Sequence, residues 1–185
     1  MASPYREILR VTAALDGEGI PHLLVGGFAV NHHGYTRNTA DMDFMIAATQ
    51  TDPALRLMKA AGYTNVSVMD NVAFVQKPGE QLRIDFLRAD EQTMEKLLGC
   101  AVEATFYGVT VKVPALHDLI AMKLFALHYA RARRAPKDLP DVVYLTVLND
   151  LDLDLDIRPL CRRYASDELY TDICREVERV RRELR

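Results

Sequence analysis

The sequence predicts an α+β fold, in which a mixed β-sheet with flanking helices is followed by a C-terminal helical segment. Three observations lead to this prediction. Short apolar runs alternate with amphipathic helical patterns over residues 1–113. Two pairs of strand-like runs in that part are separated by turn-forming residues, which predicts hairpins. Helical periodicity continues alone over residues 114–185, so we expect a helical segment packed on an α/β core.

The predicted elements follow one another along the chain with short connections. An amphipathic helix over residues 4–16 is ended by the glycines of GEG. The next elements are a strand at HLLVG, a short helix at GFAVNHHG, a strand at MDFMI, a helix at TDPALRLMKAAGY, strands at NVAFVQ and QLRIDFL around the turn KPGE, a helix at DEQTMEKLLG, and a hairpin formed by VEATFY and VTVKVP. Helices are then predicted at PALHDLIAMKLFALHYARAR, at DLPDVVYLTVLND and in two further segments that end in EVERVRRELR.

The composition excludes several classes of protein. Hydrophobic residues make up 49% and charged residues 26% of the 185 residues, which is ordinary for a globular domain. The net charge of −3 gives no overall attraction to nucleic acid or anionic membranes. Cys100, Cys161 and Cys174 form neither a CxxC pair nor a zinc pattern. No secretory signal pattern and no apolar run of roughly 18 residues is found, so we expect a cytoplasmic protein.

Two aspartates lie close together where the sequence predicts a strand. Because successive side chains of a strand point to opposite faces, Asp41 and Asp43 share one face while Met42, Phe44 and Ile46 face the core. Two neighbouring carboxylates repel each other unless a cation lies between them. Magnesium prefers hard oxygen ligands of this kind, so the pattern predicts a magnesium site.

A third aspartate repeats this arrangement on a later predicted strand. Asp85 lies opposite the apolar face formed by Leu82, Ile84 and Phe86. Three carboxylates around metal ions suit phosphoryl or nucleotidyl transfer, because the metal neutralises phosphate charge and activates the attacking hydroxyl. In that hypothesis Asp85 is the carboxylate that helps to activate the acceptor.

A double glycine precedes the aspartates. Without Cβ atoms, Gly26 and Gly27 allow backbone amides to approach a triphosphate at the start of a helix. Arg37 and Thr39, which lie just before Asp41, are candidates for phosphate contacts or for organising the site.

Each of these features also has a simpler explanation. A Gly-Gly pair after a strand is often only a tight turn, and a DxD pair is often only solvated. Asp85 taken alone is either a surface charge or an ion-pair partner of Arg83. The conjunction of GG, RxTxDxD and a later strand aspartate favours the metal and nucleotide hypothesis.

These residues together resemble the nucleotidyltransferase superfamily related to DNA polymerase β, in its small bacterial AbiEii-type forms. Val25, Gly26 and Gly27 match the hG[GS] motif of that superfamily, and Asp41, Asp43 and Asp85 match its carboxylates. The resemblance covers roughly residues 20–140 and is strongest over residues 24–46. It implies a nucleotidyltransferase-like sheet and a magnesium-dependent transfer of a nucleoside monophosphate from a nucleoside triphosphate, such as ATP, to a hydroxyl acceptor.

The helical segment adds a further element of the resemblance. A lysine on an apolar helix followed by basic residues and KDxxD is similar to the helical motif of that subgroup. It implies that Lys123 reaches a nucleotide phosphate or an active-site carboxylate and that Asp138 orients the site. The alternative is that Lys123 extends along an amphipathic helix to solvent. The basic residues after it are either a solvated helix end or a binding surface for triphosphate or RNA, and we favour the solvated end; they are Arg131, Arg133, Arg134 and Lys137.

Other residues of interest are predicted to be structural. The adjacent His32 and His33 lack metal-ligand spacing, and His117 and His128 have no matching nucleophile. The large apolar residues of the first C-terminal helix are predicted to be core; they are Leu119, Ile120, Leu124, Phe125 and Leu127.

The sequence leaves the acceptor open between a small molecule such as an antibiotic, a tRNA end and a protein side chain. The resemblance implies a toxin or defence role with an antitoxin-like partner, and a second copy of the chain is a further partner that would complete the cleft. In two alternatives the protein is not an enzyme. One is a non-catalytic nucleotide-binding or regulatory protein with the same fold, and the other is an interaction protein that docks through its helical segment.

Overall fold

The computed structural model describes residues 4–106 and 108–184, apart from the side chains of Pro4 and Tyr5. Tyr107 and Arg185, the last residues of two predicted elements, lie outside the described residues. The helices are α1 (Pro4–Gly17), α2 (Gly26–His32), α3 (Thr51–Ala60), α4 (Glu91–Cys100), α5 (Leu116–Leu148), α6 (Arg158–Tyr164) and α7 (Asp167–Glu183). The strands are β1 (His22–Leu24), β2 (Met42–Ala47), β3 (Asn65–Val68), β4 (Val72–Gln76), β5 (Arg83–Ala89), β6 (Val102–Phe106) and β7 (Val109–Val113).

The chain divides into two compact units. The first unit contains the residues up to Ala29 together with Arg37–Ala115, and the second contains Val30–Thr36 and the residues from Leu116 onward. All seven strands described above belong to the first unit. That the helical segment packs on the α/β core stays a prediction. None of the described helices combines the length and the apolar character needed to cross a bilayer.

The first unit is built on a mixed five-stranded sheet with the order β1-β2-β5-β4-β3. Strands β2 and β5 pair in parallel, whereas β1–β2, β5–β4 and β4–β3 are antiparallel. The predicted hairpin around KPGE is therefore present as β4–β5 and adds to the same sheet. The second predicted hairpin is present as β6–β7 and forms a separate two-stranded sheet. The predicted mixed α+β fold is confirmed.

Alternation of apolar and polar residues explains which face of the large sheet is buried. In β2, the side chains of Met42, Phe44 and Ile46 are all fully buried. The same holds for Ile84 and Phe86 in β5, which lie beside them in the parallel register. Burying such apolar side chains contributes roughly 1.5–3 kcal/mol each, which fixes the register of the two strands. The aspartates between them must then lie on the opposite face.

One strand was missed by the sequence analysis. Strand β3 pairs with β4 at the edge of the sheet, and all four of its residues, Asn65–Val68, are exposed. A short edge strand with no buried face carries little hydrophobic signal, so its alternation of polar residues and valines was not recognised.

The second unit consists of helices, as predicted for the C-terminal segment. The two helices predicted between residues 114 and 150 both lie within α5, in which two helices meet at a kink at the non-helical Ala130 (φ −142°, ψ 43°), a few residues before the predicted break. Leu119, Ile120, Leu124 and Leu127 are buried in the core, as predicted. The prediction for Phe125 is wrong, because its side chain is 53% exposed. At roughly 100° per residue, Phe125 lies about 140° around the helix from Ile120 and so points away from the core.

Candidate active site

The sheet brings two of the predicted site residues together. Asp43 in β2 and Asp85 in β5 are direct partners in the parallel register, so their side chains leave the same face of neighbouring strands. Adjacent strands lie about 4.8 Å apart, which places the two carboxylates within reach of one common cation. Asp41 immediately precedes β2. The structure thus places the carboxylates on the face opposite the core, as the alternation predicted.

An arginine connects these carboxylates. The Arg83 guanidinium donates two hydrogen bonds to Asp85, from Nε to Oδ1 at 2.6 Å and from Nη2 to Oδ2 at 2.8 Å. The same Nη2 lies 3.5 Å from Oδ2 of Asp41. Hydrogen bonding to Asp85, together with the charges of Asp85, Asp41 and Asp43, raises the pKa of Arg83. Asp85 is therefore the ion-pair partner of Arg83, one of the two simpler explanations that the sequence allowed.

The cluster is only partly shielded from solvent. The Asp85 side chain is 9% exposed, whereas the Arg83 side chain is 42% exposed. A half-exposed ion pair of this kind is held weakly, since water competes for both partners. The guanidinium therefore reaches solvent, whereas the Asp85 carboxylate that it holds is enclosed.

The residues fit a divalent metal in their chemistry and not in their present conformation. The donors are carboxylate oxygens, which magnesium prefers. Within residues 4–106 and 108–184, no group of three or more His, Cys, Asp or Glu side chains is arranged so that it could hold a metal ion. Arg83 supplies the positive charge between these carboxylates, so metal binding requires that its side chain moves away.

The two glycines of the GG pair lie directly against side chains of the RxTxDxD segment. Gly26 has φ +60°, and a Cβ atom on it would lie 2.0 Å from Oδ2 of Asp43. A Cβ atom on Gly27 would lie 2.5 Å from Oγ1 of Thr39 and 3.2 Å from Nη1 of Arg37. A side chain would clash at either position, and at Gly26 the positive φ is also strained for other residues. The structure therefore brings together the residues of the GG and RxTxDxD segments.

The backbone fixes this arrangement further. The amide of Val25 donates to the carbonyl of Asp43 at 2.8 Å, which extends the β1–β2 pairing to the start of α2. The Thr39 hydroxyl donates to the carbonyl of Asp41 at 3.1 Å. These contacts hold the loop before β2 against the glycines.

Lys123 lies in a different environment, inside the second unit. Its ammonium is 2.9 Å from Oδ1 of Asp138 and 2.6 Å from Oδ2 of Asp141, and its side chain is only 7% exposed. The alternative that Lys123 extends to solvent is wrong. Arg134 adds a second cation, 3.5 Å from Asp138. Asp141 was missed by the sequence analysis, although it is the second aspartate of KDxxD. A role of Lys123 in nucleotide binding stays a prediction.

The remaining polar candidates have structural surroundings. His117 lies 3.0 Å from Oδ1 of Asp156, and His128 is exposed beside Tyr129. Arg131 is half-exposed and pairs with Glu168 and Asp172, as expected for a solvated helix end. Burial raises the pKa of the Cys161 thiol to about 12, which makes it an unreactive core residue.

Comparison with solved structures defines the class of fold. ANT(2'')-Ia, in a complex with adenylyl-2''-tobramycin, is 16% identical with a TM-score of 0.60, over 97% of this chain and 99% of that chain. The lincosamide antibiotic adenylyltransferase LnuA is 15% identical with a TM-score of 0.55, over 76% and 95%. An antigenic nucleotidyltransferase-like protein from Paracoccidioides brasiliensis is 19% identical with a TM-score of 0.52, over 80% and 78%. The fold is that of a nucleotidyltransferase.

A family model refines this class. The model described as nucleotidyl transferase AbiEii toxin, type IV toxin-antitoxin system, matches residues 7–179. The chain belongs to this family of nucleotidyltransferases, and the resemblance seen in the sequence is confirmed. A search among curated proteins gave no match.

Proposed function

We propose that the protein transfers a nucleoside monophosphate from a nucleoside triphosphate to a hydroxyl acceptor in a magnesium-dependent reaction. The observation that carries this proposal is the register of β2 and β5, which sets Asp43 beside Asp85 on an accessible sheet face, with Asp41 at the start of β2. Adjacent carboxylates repel each other unless a cation lies between them, and Arg83, whose side chain is 42% exposed, now supplies that charge at a position where a metal ion would replace it.

The proposal gives each part of the site a role in binding. Asp41, Asp43 and Asp85 would hold magnesium, which would supply charge neutralisation for the triphosphate and a more acidic acceptor hydroxyl. Gly26 and Gly27 bring the backbone of the α2 start close to the triphosphate, with Arg37 and Thr39 beside them. Lys123 is a further nucleotide-binding candidate from the family resemblance.

The reaction proceeds as a single displacement at phosphorus. The acceptor oxygen forms a bond to the α-phosphorus while the bond from that phosphorus to the pyrophosphate oxygen breaks, and pyrophosphate leaves with the electron pair. The hydroxyl proton passes to the carboxylate of Asp85, which is the least exposed of the three and is directed toward the open face by its place in β5.

The wider role follows from the family. We propose that the transfer acts as a toxin that an antitoxin partner neutralises, because the family description names a type IV toxin-antitoxin system. A small molecule such as an antibiotic, a tRNA end and a protein side chain are the acceptors to distinguish. Growth arrest on expression, relieved by co-expression of a neighbouring gene, tests the toxin role.

Size-exclusion chromatography with light scattering tests for a homo-oligomer, and an active strict monomer would remove a second subunit from the site.

The test of the activity is transfer of label from each α-labelled nucleoside triphosphate to acceptors in a cell extract. We expect Asp43→Ala to abolish transfer while its far-UV spectrum and unfolding midpoint stay as in the wild type. Asp70→Ala, which removes an exposed aspartate in the β3–β4 turn, is the matched control and should keep full activity. Retained transfer in Asp43→Ala would refute the assignment.

A second candidate is a regulatory protein that binds nucleotide without catalysis. It is favoured by one observation: Arg83 already neutralises the carboxylates, as an internal cation would in a site that no longer takes metal. This candidate predicts nucleotide binding that is independent of magnesium, together with no transfer by the folded wild type to any acceptor.

A further inference from the structure

The chain between the GG pair and the RxTxDxD segment passes through the second unit. Gly26 and Gly27 at the start of α2 belong to the first unit, and so do residues 37–43. The residues between them, Val30–Thr36, belong to the second unit, and we call them the connecting segment. The function proposed above gives roles to residues on both sides of the connecting segment and none to the segment itself.

The end of α2 fixes the backbone of the connecting segment. The amide of Tyr35 donates to the carbonyl of Val30 at 3.3 Å, and the amide of Gly34 donates to the carbonyl of Asn31 at 3.2 Å. Gly34 has φ +101°, in the left-handed region that glycine adopts where a helix ends. These two bonds form a Schellman motif, which places Tyr35 at a defined position just after the helix.

Two contacts hold the connecting segment at α5. The ring of Tyr35 stacks on the ring of Tyr144, with 4.4 Å between the ring centres and an angle of 8° between the ring planes. Stacked aromatic rings stabilise each other beyond the apolar area that they bury. Asn149, directly after α5, donates a hydrogen bond from Nδ2 to the carbonyl of His33 at 3.0 Å. The second unit therefore holds the segment by one ring pair and one hydrogen bond to its backbone.

The position of Tyr35 limits where Arg37 can lie. Arg37 follows Tyr35 by two residues, and two residues of extended chain span at most about 7 Å. Arg37 nevertheless has to return to the GG pair, where a Cβ atom on Gly27 would lie 3.2 Å from its Nη1. The chain thus runs from Gly27 through α2 and Tyr35 back to Gly27, and the ring of Tyr144 holds the far end of this path.

The carboxylates of the site are held in a different way. Asp43 and Asp85 are direct partners in the pairing of β2 with β5. Every residue of that pairing belongs to the first unit. Loss of the ring contact in the second unit should therefore displace Arg37 while these two carboxylates keep their places.

We propose that Tyr144 is a positioning residue for nucleotide binding, which acts through the ring of Tyr35 to hold Arg37 at the GG pair. This inference rests on the proposed function, because Arg37 contacts the triphosphate only in that proposal. Since the carboxylates are positioned by the sheet, removal of the Tyr144 ring should weaken binding of the triphosphate and leave the chemical step nearly unchanged.

Steady-state transfer by the full chain, with the triphosphate concentration varied, tests this proposal. We expect Tyr144→Ala to raise the KM for the triphosphate at least about tenfold and to change kcat by less than about threefold. Tyr144→Phe keeps the ring and should have the KM of the wild type. Hydrogen exchange of the Gly34 and Tyr35 amides should become at least about tenfold faster in Tyr144→Ala and stay unchanged in Tyr144→Phe.

Two control variants separate positioning from general damage to the second unit. Tyr129→Ala makes the same substitution on α5 at a ring that is 72% exposed. Val177→Ala shortens a fully buried side chain of α7 and so destabilises the same unit from outside the connecting segment. Both folded controls should keep the KM of the wild type. If Val177→Ala raises the KM as much as Tyr144→Ala does, loss of stability explains the effect and the proposal is overturned.

A double-variant cycle tests whether Tyr144 acts through Arg37. In a chain that already carries Arg37→Ala, no guanidinium remains to be positioned, so adding Tyr144→Ala should raise the KM by less than about threefold. Two substitutions that each raise the KM independently would show that Tyr144 does not act through Arg37, and the proposal would fail.

The design also distinguishes this proposal from the proposed function. If the folded wild type transfers label and Tyr144→Ala has the same KM, only the positioning role of Tyr144 is wrong. A lower kcat at an unchanged KM would overturn that role as well. If the folded wild type neither binds triphosphate nor transfers label, the proposed function fails, and the positioning role fails with it.

Discussion

Each unit holds two aspartates that share a cation, Arg83 in the first unit and Lys123, with Arg134 beside it, in the second, and their surroundings differ. In the first unit, Arg83 pairs with Asp85 and Asp41 on an open sheet face, and its side chain is 42% exposed. In the second unit, Lys123 pairs with Asp138 and Asp141, whose side chains are 4% and 0% exposed. The first cation is 42% exposed to solvent, whereas the second is 7% exposed. Similar charges thus lie on an open face in one unit and are enclosed in the other.

The difference shows that the burial of the cation, and not the set of charges, distinguishes the two clusters. A buried ion pair contributes little net stability compared with apolar residues, but removal of one partner leaves an uncompensated charge without water. A half-exposed pair loses much less, since water solvates the remaining partner. Substitutions in the first cluster should therefore affect activity, and substitutions in the second should affect folding.

The largest expected effect comes from neutralising one carboxylate in each cluster. Asp85→Asn should lower transfer by at least about 10²-fold, as for other groups that act on transition-state charge, and should lower the free energy of unfolding by about 1–2 kcal/mol, because Asp85 is buried but its partner Arg83 still reaches water. Asp141→Asn should instead lower the free energy of unfolding by about 3 kcal/mol. Labelled-nucleotide transfer and urea unfolding measure both. The comparison breaks down if Asp85→Asn proves the less stable variant.

Removal of the buried cation should affect stability to at least the same extent as Asp141→Asn. Lys123→Met should reduce the free energy of unfolding by about 3–5 kcal/mol, because it leaves two buried carboxylates beside each other. The triple variant Lys123→Met, Asp138→Asn, Asp141→Asn should recover much of this loss. Thermal and urea unfolding of the single and triple variants give the measurement. A single variant as stable as the wild type would show that the cluster is hydrated in solution.

A smaller effect is expected at Gly26, which contacts the aspartates of the first unit. We call Asp41, Asp43, Asp85 and Arg83 the open cluster, and Lys123, Asp138 and Asp141 the enclosed cluster. Gly26→Ala places a Cβ atom 2.0 Å from Oδ2 of Asp43 at a residue with φ +60°, so we expect a loss of about 1–3 kcal/mol and displacement of that carboxylate. Gly99→Ala is the control, because it lies in α4 and a Cβ atom there meets nothing within 4 Å. The control should be neutral or more stable by about 0.5–1 kcal/mol. Equal effects of the two substitutions in urea unfolding would contradict this account of the double glycine.

The smallest expected effect concerns a buried carboxylate of the first unit, Glu7. Burial raises its pKa, but hydrogen bonds from Lys77 and Tyr63 outweigh burial and hold the pKa below the ordinary value of 4.5. A lowered native pKa stabilises the fold above pH 4.5, and this contribution is lost as the pH falls through the native value. Glu7→Gln should cost about 1–2 kcal/mol at pH 7.

Unfolding curves of Glu7→Gln and the wild type between pH 7 and about pH 3 test the sign of this effect. The difference in stability should shrink below pH 4.5, where the unfolded-state carboxylate becomes protonated. A difference that grows toward acid pH would mean that the native pKa is raised and that burial dominates.

The sequence predicted the open cluster better than the enclosed one. Alternation in MDFMI and QLRIDFL assigns Asp43 and Asp85 to the polar faces of two strands, which is a local property. That these strands are neighbours depends on the sheet order, a long-range feature that periodicity does not contain. Arg83 was recognised as a partner of Asp85 alone, because its contact with Asp41 also depends on that order.

The enclosed cluster could not be predicted for a different reason. Lys123 and Asp141 lie on opposite sides of the interruption at Ala130, so their contact depends on a change of direction within α5. Helical periodicity describes which residues share a face only while the helix is regular. The exposed strand β3 was missed because a strand without a buried face leaves no apolar pattern.

The most direct test of the central claim is calorimetric titration with each nucleoside triphosphate, with and without magnesium. The wild type and the Asp41→Ala, Asp43→Ala double variant are compared, with circular dichroism to show that both are folded. We predict binding that requires both magnesium and the two aspartates. Equal binding by the double variant, or no binding by the folded wild type, would contradict the claim that the open cluster is a metal and nucleotide site.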